Sequence, residues 1–207
     1  MNRMPLAVRR AQLVDAALRV AAQSGVEAVT IRAVAHEAGV SLGTVHYCFH
    51  DKDELLDAMG QSISVEASDQ IRAAIGAGVQ AGLDFPSLLQ QCAPALLAGL
   101  KRYRQVRLLL LEIATTGARN SALRPTARSH LEQSTQMAYQ LVNTLADASG
   151  VQFAVDRGVI ARITTALIDG IELAWLVDED DDRALEGFGA LADLISGYVA
   201  APSTVSE

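Results

Sequence analysis

The chain has 207 residues, a formal net charge of −7 and an apolar content of 50%, of which little is aromatic. A core of Ala, Leu, Val and Ile favours packed helices over sheets, and the length suits one large domain or two small ones. No apolar run approaches the roughly 20 residues that cross a bilayer, the N-terminus lacks a signal-peptide core and two cysteines make no disulfide framework, so we expect a cytoplasmic protein without membrane contact.

Apolar residues recur at helical spacing in the N-terminal part of the chain and predict four helices. The first carries an apolar stripe over residues 13–21. The second is capped by Thr30 and ends at Gly39, the third is very short and opens at Ser41, and the fourth opens at Asp51. The apolar stripe of the fourth helix extends toward residue 75.

Beyond residue 86 the pattern changes to longer helices, and no alternating strand pattern runs over a useful length. Glycines over residues 76–82 loosen the chain before this change, and Pro94 is expected to kink the helix that contains it. Loops are predicted over residues 115–121, 148–152 and 178–182. The predicted helices are 86–101, 104–117, 124–148, 155–178 and 183–199.

The second and third helices, joined by a tight turn, form the pattern of a helix-turn-helix. Gly39 suits the left-handed conformation that such a turn needs. Val40, Val45 and Phe49 lie on one face of the short helix and would anchor it to the second helix. The opposite face is uncharged, and its side chains suit hydrogen bonds to phosphates or bases and contact with a thymine methyl group. It carries Leu42, Gly43, Thr44, His46 and Tyr47.

Cations near this segment suggest contacts with phosphate. Lys52 lies in the first turn of the fourth helix, where the helix dipole disfavours a cation, so an external anion such as a DNA phosphate is indicated. Arg9 and Arg10 are expected to precede the first helix and to touch the DNA backbone or minor groove as an arm. Residues 1–60 carry six basic and seven acidic residues, so most of the negative charge lies elsewhere.

The stretch "TIRAVAHEAGVSLGTVHYCFHDKDELL" (30–56) resembles the DNA-binding segment of the TetR family of bacterial transcriptional regulators. Val34 and Val45 stand where the family usually has Ile and Leu. One position departs, because the usual Tyr falls at His46 and this chain has Tyr at position 47. The residues that match directly are Thr30, Ala35, Ala38, Gly39, Val40, Ser41, Gly43, Phe49, Lys52 and Leu55.

The resemblance implies an all-α fold with a three-helix DNA-binding domain and a helical bundle for effector binding and dimerisation. We expect these domains over residues 1–55 and 56–200, followed by a flexible tail over 201–207. The protein would bind a double-stranded DNA operator as a homodimer, and a small-molecule effector would move the recognition helices out of register with adjacent major grooves. The expected DNA contacts are Arg10, Thr30, Ser41, Leu42, Gly43, Thr44, His46, Tyr47 and Lys52.

The bundle sequence offers candidates for an effector pocket and for a dimer interface. The scarcity of charge in the bundle helices indicates a small, largely apolar effector. The pocket candidates are Tyr103, Glu112, Met137, Tyr139, Asp169 and Trp175. The interface candidates, from the last two long helices, are Ile168, Ile171, Leu191, Leu194, Ile195 and Tyr198.

Three motifs could be interpreted as a metal site, a cation site and a second nucleic-acid site, but a structural role is favoured for each. His46, Cys48 and His50 alternate, and positions i and i+2 of a helix point roughly 200° apart, so they cannot converge on one metal ion. The run "VDEDDD" (177–182) is interpreted as a solvated loop rather than a cation site. The run "KRYRQVR" (101–107) is interpreted as a solvated helix junction rather than a second nucleic-acid patch.

The sequence thus predicts a ligand-responsive transcriptional regulator, a repressor, that needs no metal or other cofactor. The alternatives are a helical protein–protein adaptor and a helical enzyme. The enzyme alternative has no nucleophile–base pair or metal-ligand spacing to support it.

Overall fold

The computed structural model describes residues 4–121 and 124–200, and in these ranges the chain forms ten α-helices and no strand. The predicted all-α class is confirmed. A single isolated antiparallel bridge joins Phe153 and Val199. The helices are α1 (Leu6–Ser24), α2 (Ile31–Glu37), α3 (Leu42–Cys48), α4 (Lys52–Gln80), α5 (Phe85–Gln90), α6 (Cys92–Arg102), α7 (Arg104–Arg119), α8 (Arg124–Ser149), α9 (Arg157–Asp178) and α10 (Asp181–Ser196).

The first three helices pack with the start of α4 around one apolar core. Leu13 of α1, Val34 of α2 and Val45 of α3 are fully buried in it. Two residues of α7, Val106 and Leu110, join the same core from the bundle side. The N-terminal helices are therefore seated on the bundle through apolar contacts rather than tethered to it by a linker.

Helix α4 is shared between the two halves of the molecule. Its first turns, with Leu55 and Met59, belong to the N-terminal core, whereas Ile71 and Ile75 belong to the core of the bundle. The helix continues through Gly76 and Gly78 to Gln80, so the glycines that loosen the sequence do not interrupt it. Tertiary packing of the apolar face outweighs the roughly 1 kcal/mol that each glycine costs in a helix interior.

The bundle consists of the end of α4 and helices α5–α10, arranged around two adjoining cores. One core lies between α4, α5, α8, α9 and α10, and the other between α6, α9 and α10. Trp175 and Phe188 are buried in the second. The layers leave space between α4, α5, α6, α8, α9 and α10, where the cavity described below is found.

Several helix bounds differ from the prediction. Helix α1 begins at Leu6, so Arg9 and Arg10 lie within it rather than before it. The predicted helix 86–101 is divided at Gln91 into α5 and α6, and Pro94 lies in the first turn of α6, where a missing N–H is tolerated. Helix α7 includes most of the predicted loop 115–121.

The predicted loop 178–182 is also shorter than expected. Only Glu179 and Asp180 separate α9 from α10; Glu179 adopts a left-handed φ of 54° and Asp180 caps α10. The acidic run therefore forms the start of α10, because Asp180 caps the helix and the acidic residues of its first turn suit the helix dipole. The predicted tail 201–207 lies outside the described residues.

Candidate DNA-binding surface and bundle cavity

The helix-turn-helix is built by two side-chain caps and one glycine. The Thr30 hydroxyl accepts a hydrogen bond from the Ala33 N–H at 3.1 Å and starts α2. The turn passes through Gly39 at a φ of +65°, a conformation that other residues adopt only with strain. The Ser41 hydroxyl then accepts from the Thr44 N–H at 3.2 Å and starts α3. Each cap satisfies a backbone donor that the helix itself leaves unpaired.

Helix α3 has one buried face and one exposed face. Val45, Cys48 and Phe49 are buried against the N-terminal core. On the other side Tyr47 is 68% exposed and Leu42 is 43% exposed, Gly43 and His46 are also exposed, and Thr44 is half-buried. The exposed face carries no acidic side chain. It is therefore a surface that an anionic helix groove can approach closely.

Gly43 has no internal reason to be glycine. A Cβ atom at this position would meet only the Ser41 hydroxyl, at 3.8 Å, and the backbone there is helical. Glycine destabilises an exposed helix position relative to alanine by up to about 1 kcal/mol. The open space beside Gly43 faces outward, so an external group is free to come close to the backbone of α3.

Lys52 occupies the first position of α4, directly after the capping residue Asp51. The Asp51 carboxylate accepts from the Glu54 N–H at 2.8 Å, and this bond, together with His50, holds the pKa of Asp51 below its usual value. Among the described residues, none forms an ion pair with Lys52. Lys52 thus places a cation in the first turn of the helix, where the helix dipole and the charge of Lys52 both favour an external anion.

The structure places Arg10 differently from the arm expected from the sequence. Its guanidinium donates to the backbone oxygen of Cys48 and to the Glu54 carboxylate, the latter at 2.7 Å. It also lies 4.2 Å above the Phe49 ring. These contacts tie the C-terminal end of α3 to the N-terminal end of α4. Arg10 therefore fixes the orientation of α3 from within the chain.

A cavity of about 150 Å³ lies inside the bundle between α4, α5, α6, α8, α9 and α10. Its wall is mostly apolar, and we call it the chamber. Two hydroxyl oxygens on the wall, Ser68 Oγ and Thr164 Oγ1, are buried and have no hydrogen-bond partner among the described residues. Its apolar lining includes Ile71, Leu89, Leu96, Leu141, Val142 and Phe188.

A wider opening of about 790 Å³ adjoins the chamber between α7, α8 and α9, and we call it the vestibule. Arg107, Ser134 and Asp169 line both spaces and so mark the passage between them. Glu172 lines the vestibule but not the chamber, and it is only 3% exposed. The passage therefore combines apolar walls with buried ionisable groups, the composition of a small-molecule site.

The ionisable groups of the passage are strongly affected by burial. Arg107 lies 3.5 Å from the Glu172 carboxylate, yet burial raises the pKa of Glu172 to about 7. Burial also raises the pKa of Asp169 and lowers the pKa of His130, which interacts with Asp169 electrostatically. One guanidinium is thus shared between two poorly hydrated carboxylates.

Two of the six predicted pocket residues, Met137 and Asp169, line the chamber. The other four lie outside it. The Tyr103 hydroxyl donates to Glu66 beside the N-terminal core, and the Trp175 N–H donates to Asp181 at 2.9 Å. Tyr139 and Glu112 are exposed. The aromatic residues Tyr103 and Trp175, predicted to line the pocket, instead form hydrogen bonds between helices.

Arg107 and Ser68 were missed by sequence reasoning. Arg107 belongs to the run interpreted as a solvated junction, whereas its side chain is only 19% exposed. Its spacing of three from Leu110 places it on the inward face of α7, which was the available signal. Ser68 is 5% exposed within the apolar stripe of α4, and nothing in its local sequence separates it from a surface serine.

The predicted interface residues are mostly used within the protomer. Leu191 and Ile195 are buried, Ile168 lines the chamber and Ile171 packs on Gly187. Tyr198 is half-buried, and Leu194 is 40% exposed. A different face of α9 is uncovered, because Leu and Val side chains spaced along one side are exposed. This stripe, which we call the outer face of α9, consists of Val159, Ile163, Ala166, Leu167, Gly170, Leu173, Ala174 and Val177.

The described residues form neither a membrane-spanning helix nor a cluster of metal ligands. No helix in residues 4–121 and 124–200 combines the length and the apolar character needed to span a bilayer. In the same ranges no three His, Cys, Asp or Glu side chains come together as a metal site would require. His46 and His50 are exposed while Cys48 is buried, so the alternating trio points in different directions.

Comparisons with known proteins agree with this architecture. Residues 13–59 match the family model of bacterial regulatory proteins of the tetR family. The chain is 29% identical over 175 residues to the HTH-type nicotine-responsive transcriptional repressor HdnoR of Paenarthrobacter nicotinovorans, a match that covers 84% of this chain and 87% of that protein. Among solved structures, a TetR-family regulator from Rhodococcus sp. has a TM-score of 0.70 at 23% identity, covering 91% of this chain and 98% of that one.

A second solved structure, the multidrug binding protein EbrR complexed with imidazole, has a TM-score of 0.58 at 26% identity and covers 96% of this chain and 98% of that chain. The fold and the exposed α3 define a helix-turn-helix transcriptional regulator with a helical C-terminal domain. Residues 13–59 place the N-terminal part of the chain in the TetR family of bacterial regulatory proteins.

Proposed function

We propose that the protein is a cytoplasmic repressor that binds a near-palindromic operator as a homodimer and is released by a small, largely apolar effector. The observation that carries the proposal is the exposed face of α3, which has no acidic side chain. This face contains Gly43, where the packing of the chain would also accept a larger residue. Lys52 follows α3 closely in the sequence, at the start of α4. These features match what a recognition helix needs to enter a major groove and to hold a phosphate at its rim.

The proposed DNA contacts divide by chemistry. Lys52 at the start of α4 would hold a phosphate, with Thr30 and Ser41 at the starts of α2 and α3 contacting the DNA backbone. Thr44, His46 and Tyr47 would donate to base edges or phosphates, and Leu42 would contact a thymine methyl group. Arg10 would act by orienting α3, since its guanidinium is engaged within the chain.

The outer face of α9 supports the proposed homodimer. Val177 is 80% exposed and Leu173 is 51% exposed, and both lie on one stripe with Val159 and Leu167. A Cβ atom on Gly170, in the middle of the stripe, would meet nothing within 4 Å, so the protomer itself does not require glycine there. A long apolar stripe with a central glycine suits close approach of a second helix. Leu194 of α10 would extend the contact.

Helix α4 supports the proposed response to the effector. Lys52 begins it at the DNA-binding surface, and Ile71 on the same helix lines the chamber. Near its start, Asp57 interacts electrostatically with His130, which in turn faces Asp169 at the passage. A ligand that favours one position of α4 over another would shift the DNA-binding helices with it. The response named for HdnoR and the imidazole bound by EbrR are consistent with a small effector.

A gel-shift assay with the DNA upstream of the protein's own gene tests the proposal. We expect salt-sensitive binding of a dimer to that region, reversed by effector. The adaptor and enzyme alternatives predict no such binding. If the protein binds neither that region nor any fragment selected from the genome, the proposed regulatory function is contradicted.

A further inference from the structure

We propose that the effector is an organic cation, an ammonium-type ion with an apolar body about the size of one six-membered ring, whose charge lies against Asp169 at the passage. This inference rests on the proposed effector role of the cavity, and it adds the chemical class of the ligand. Three features carry it: the size of the chamber, the two carboxyl groups beside a single guanidinium at the passage, and unpaired buried hydroxyls on the wall.

The chamber sets the size of the apolar body. Its volume is about 150 Å³ and its wall is formed largely by Leu, Ile, Val and Phe side chains. An engineered apolar cavity of about 150 Å³ in another protein binds benzene, so one ring is the expected occupant. Ser68 Oγ, on a residue that is only 5% exposed, has no partner among the described residues. A buried hydroxyl in this state favours a ligand that also presents a polar atom.

The passage sets the sign of the charge. Asp169 and Glu172 share one guanidinium, that of Arg107, and no described residue donates a hydrogen bond to the Asp169 carboxylate. His130 beside them is disfavoured as a cation by burial. A ligand cation would add positive charge beside Asp169 and favour the ionised forms of both carboxyl groups in a poorly hydrated site, whereas an anion would add negative charge beside them.

Arginines at the outer rim do not reverse this sign. Arg124, Arg128 and Arg162 line the vestibule and would favour an anion, but all three are exposed. Exposed charges are screened by solvent and salt, and their pairs contribute little. The half-buried Asp169 and the buried Glu172 therefore determine the preference at the mouth of the chamber, and the exposed arginines act on the ligand only outside it.

Calorimetric titration of the full chain with three matched ligands tests the proposal. Benzylammonium, benzyl alcohol and phenylacetate share one ring and differ in charge. We expect benzylammonium to bind at least about tenfold more tightly than either of the others, as a charged hydrogen bond in a buried site implies. Equal or tighter binding of benzyl alcohol or phenylacetate would overturn the proposal, and so would a lack of heat with all three.

A charge-removing variant locates the cation. Asp169→Asn should lower the affinity for benzylammonium by about tenfold and leave benzyl alcohol unchanged. Asp69→Asn removes the same charge from an exposed position on α4 and should change neither. Unchanged benzylammonium binding in Asp169→Asn would exclude Asp169 as the partner. If Asp169→Asn does not fold, the ligand series on the unmodified chain still decides the charge preference.

The ligand class and the regulator can fail separately. DNA binding is measured without ligand, and ligand binding is measured without DNA. A chain that shifts DNA but prefers phenylacetate would overturn only the ligand class. A chain that prefers benzylammonium but binds no DNA would overturn the proposed function and keep the cation site.

Discussion

Lys52 lies in the first turn of α4, where the helix dipole favours an anion. It is half-buried, and no described residue forms an ion pair with it. We predict that Lys52→Ala weakens binding to all DNA sequences and lowers the slope of log affinity against log salt by about 0.9, the loss of one phosphate contact.

Fluorescence anisotropy at several salt concentrations measures this slope. Arg119→Ala removes an exposed cation at the end of α7, far from α3 in the chain, and is the matched control that should leave the slope unchanged. A changed base preference in Lys52→Ala, with the slope retained, would contradict the phosphate role.

We expect substitution of Arg10 to reduce the stability of the protein, whereas substitution of Lys52 removes a phosphate contact. Arg10→Ala removes the contacts with Cys48 O, Glu54 and the Phe49 ring. It should reduce the free energy of unfolding by about 1 kcal/mol and weaken DNA binding through the orientation of α3, with the salt slope unchanged. Urea unfolding and the same anisotropy titration report the two effects. A reduced slope with unchanged stability would instead make Arg10 a phosphate contact.

At the scale of elements, the outer face of α9 is the feature with the clearest consequence. We predict that Leu173→Glu converts the dimer to a monomer, because a charge would be buried in an apolar interface. Sedimentation analysis measures the mass. Val65→Glu places the same charge on an exposed apolar position of α4 and should leave the dimer intact. A dimer that survives Leu173→Glu would assign the interface to another face.

Particular helices show what the sequence alone can predict. Caps at Thr30, Ser41 and Asp51 are local signals, and the structure has helices starting directly after each. The break at Gln91 is not local, because α5 and α6 are placed by packing against α10 and α4. Likewise, an apolar stripe shows that a face is buried but not by what. For this reason Leu191 and Ile195 were expected at a dimer interface and instead pack inside the protomer.

At the scale of the whole molecule, the buried passage should make stability depend on pH. Burial raises the pKa of Glu172 from 4.5 to about 7. A carboxyl group with a raised folded-state pKa contributes stability that is fully present below pH 4.5 and is lost as pH rises through 7. At 1.36 kcal/mol per pKa unit the loss is roughly 3 kcal/mol.

Glu172→Gln should therefore flatten the change in unfolding free energy between pH 5 and pH 7. Urea unfolding of both proteins at one fixed concentration measures it, and the difference between the two curves isolates Glu172 from Asp169 and His130, which also titrate differently on folding. Identical pH dependence in the two proteins would show that Glu172 is better solvated than its burial indicates.

Selection from random duplex DNA tests the central claim most directly. The whole molecule combines an exposed α3, Lys52 at a helix start and a second apolar face on α9. A dimer with this arrangement should enrich a near-palindromic sequence whose half-sites are separated by about one helical turn or a multiple of it, and the affinity for that sequence should fall steeply with salt. Enrichment of no sequence, with binding that does not respond to salt, would contradict the account.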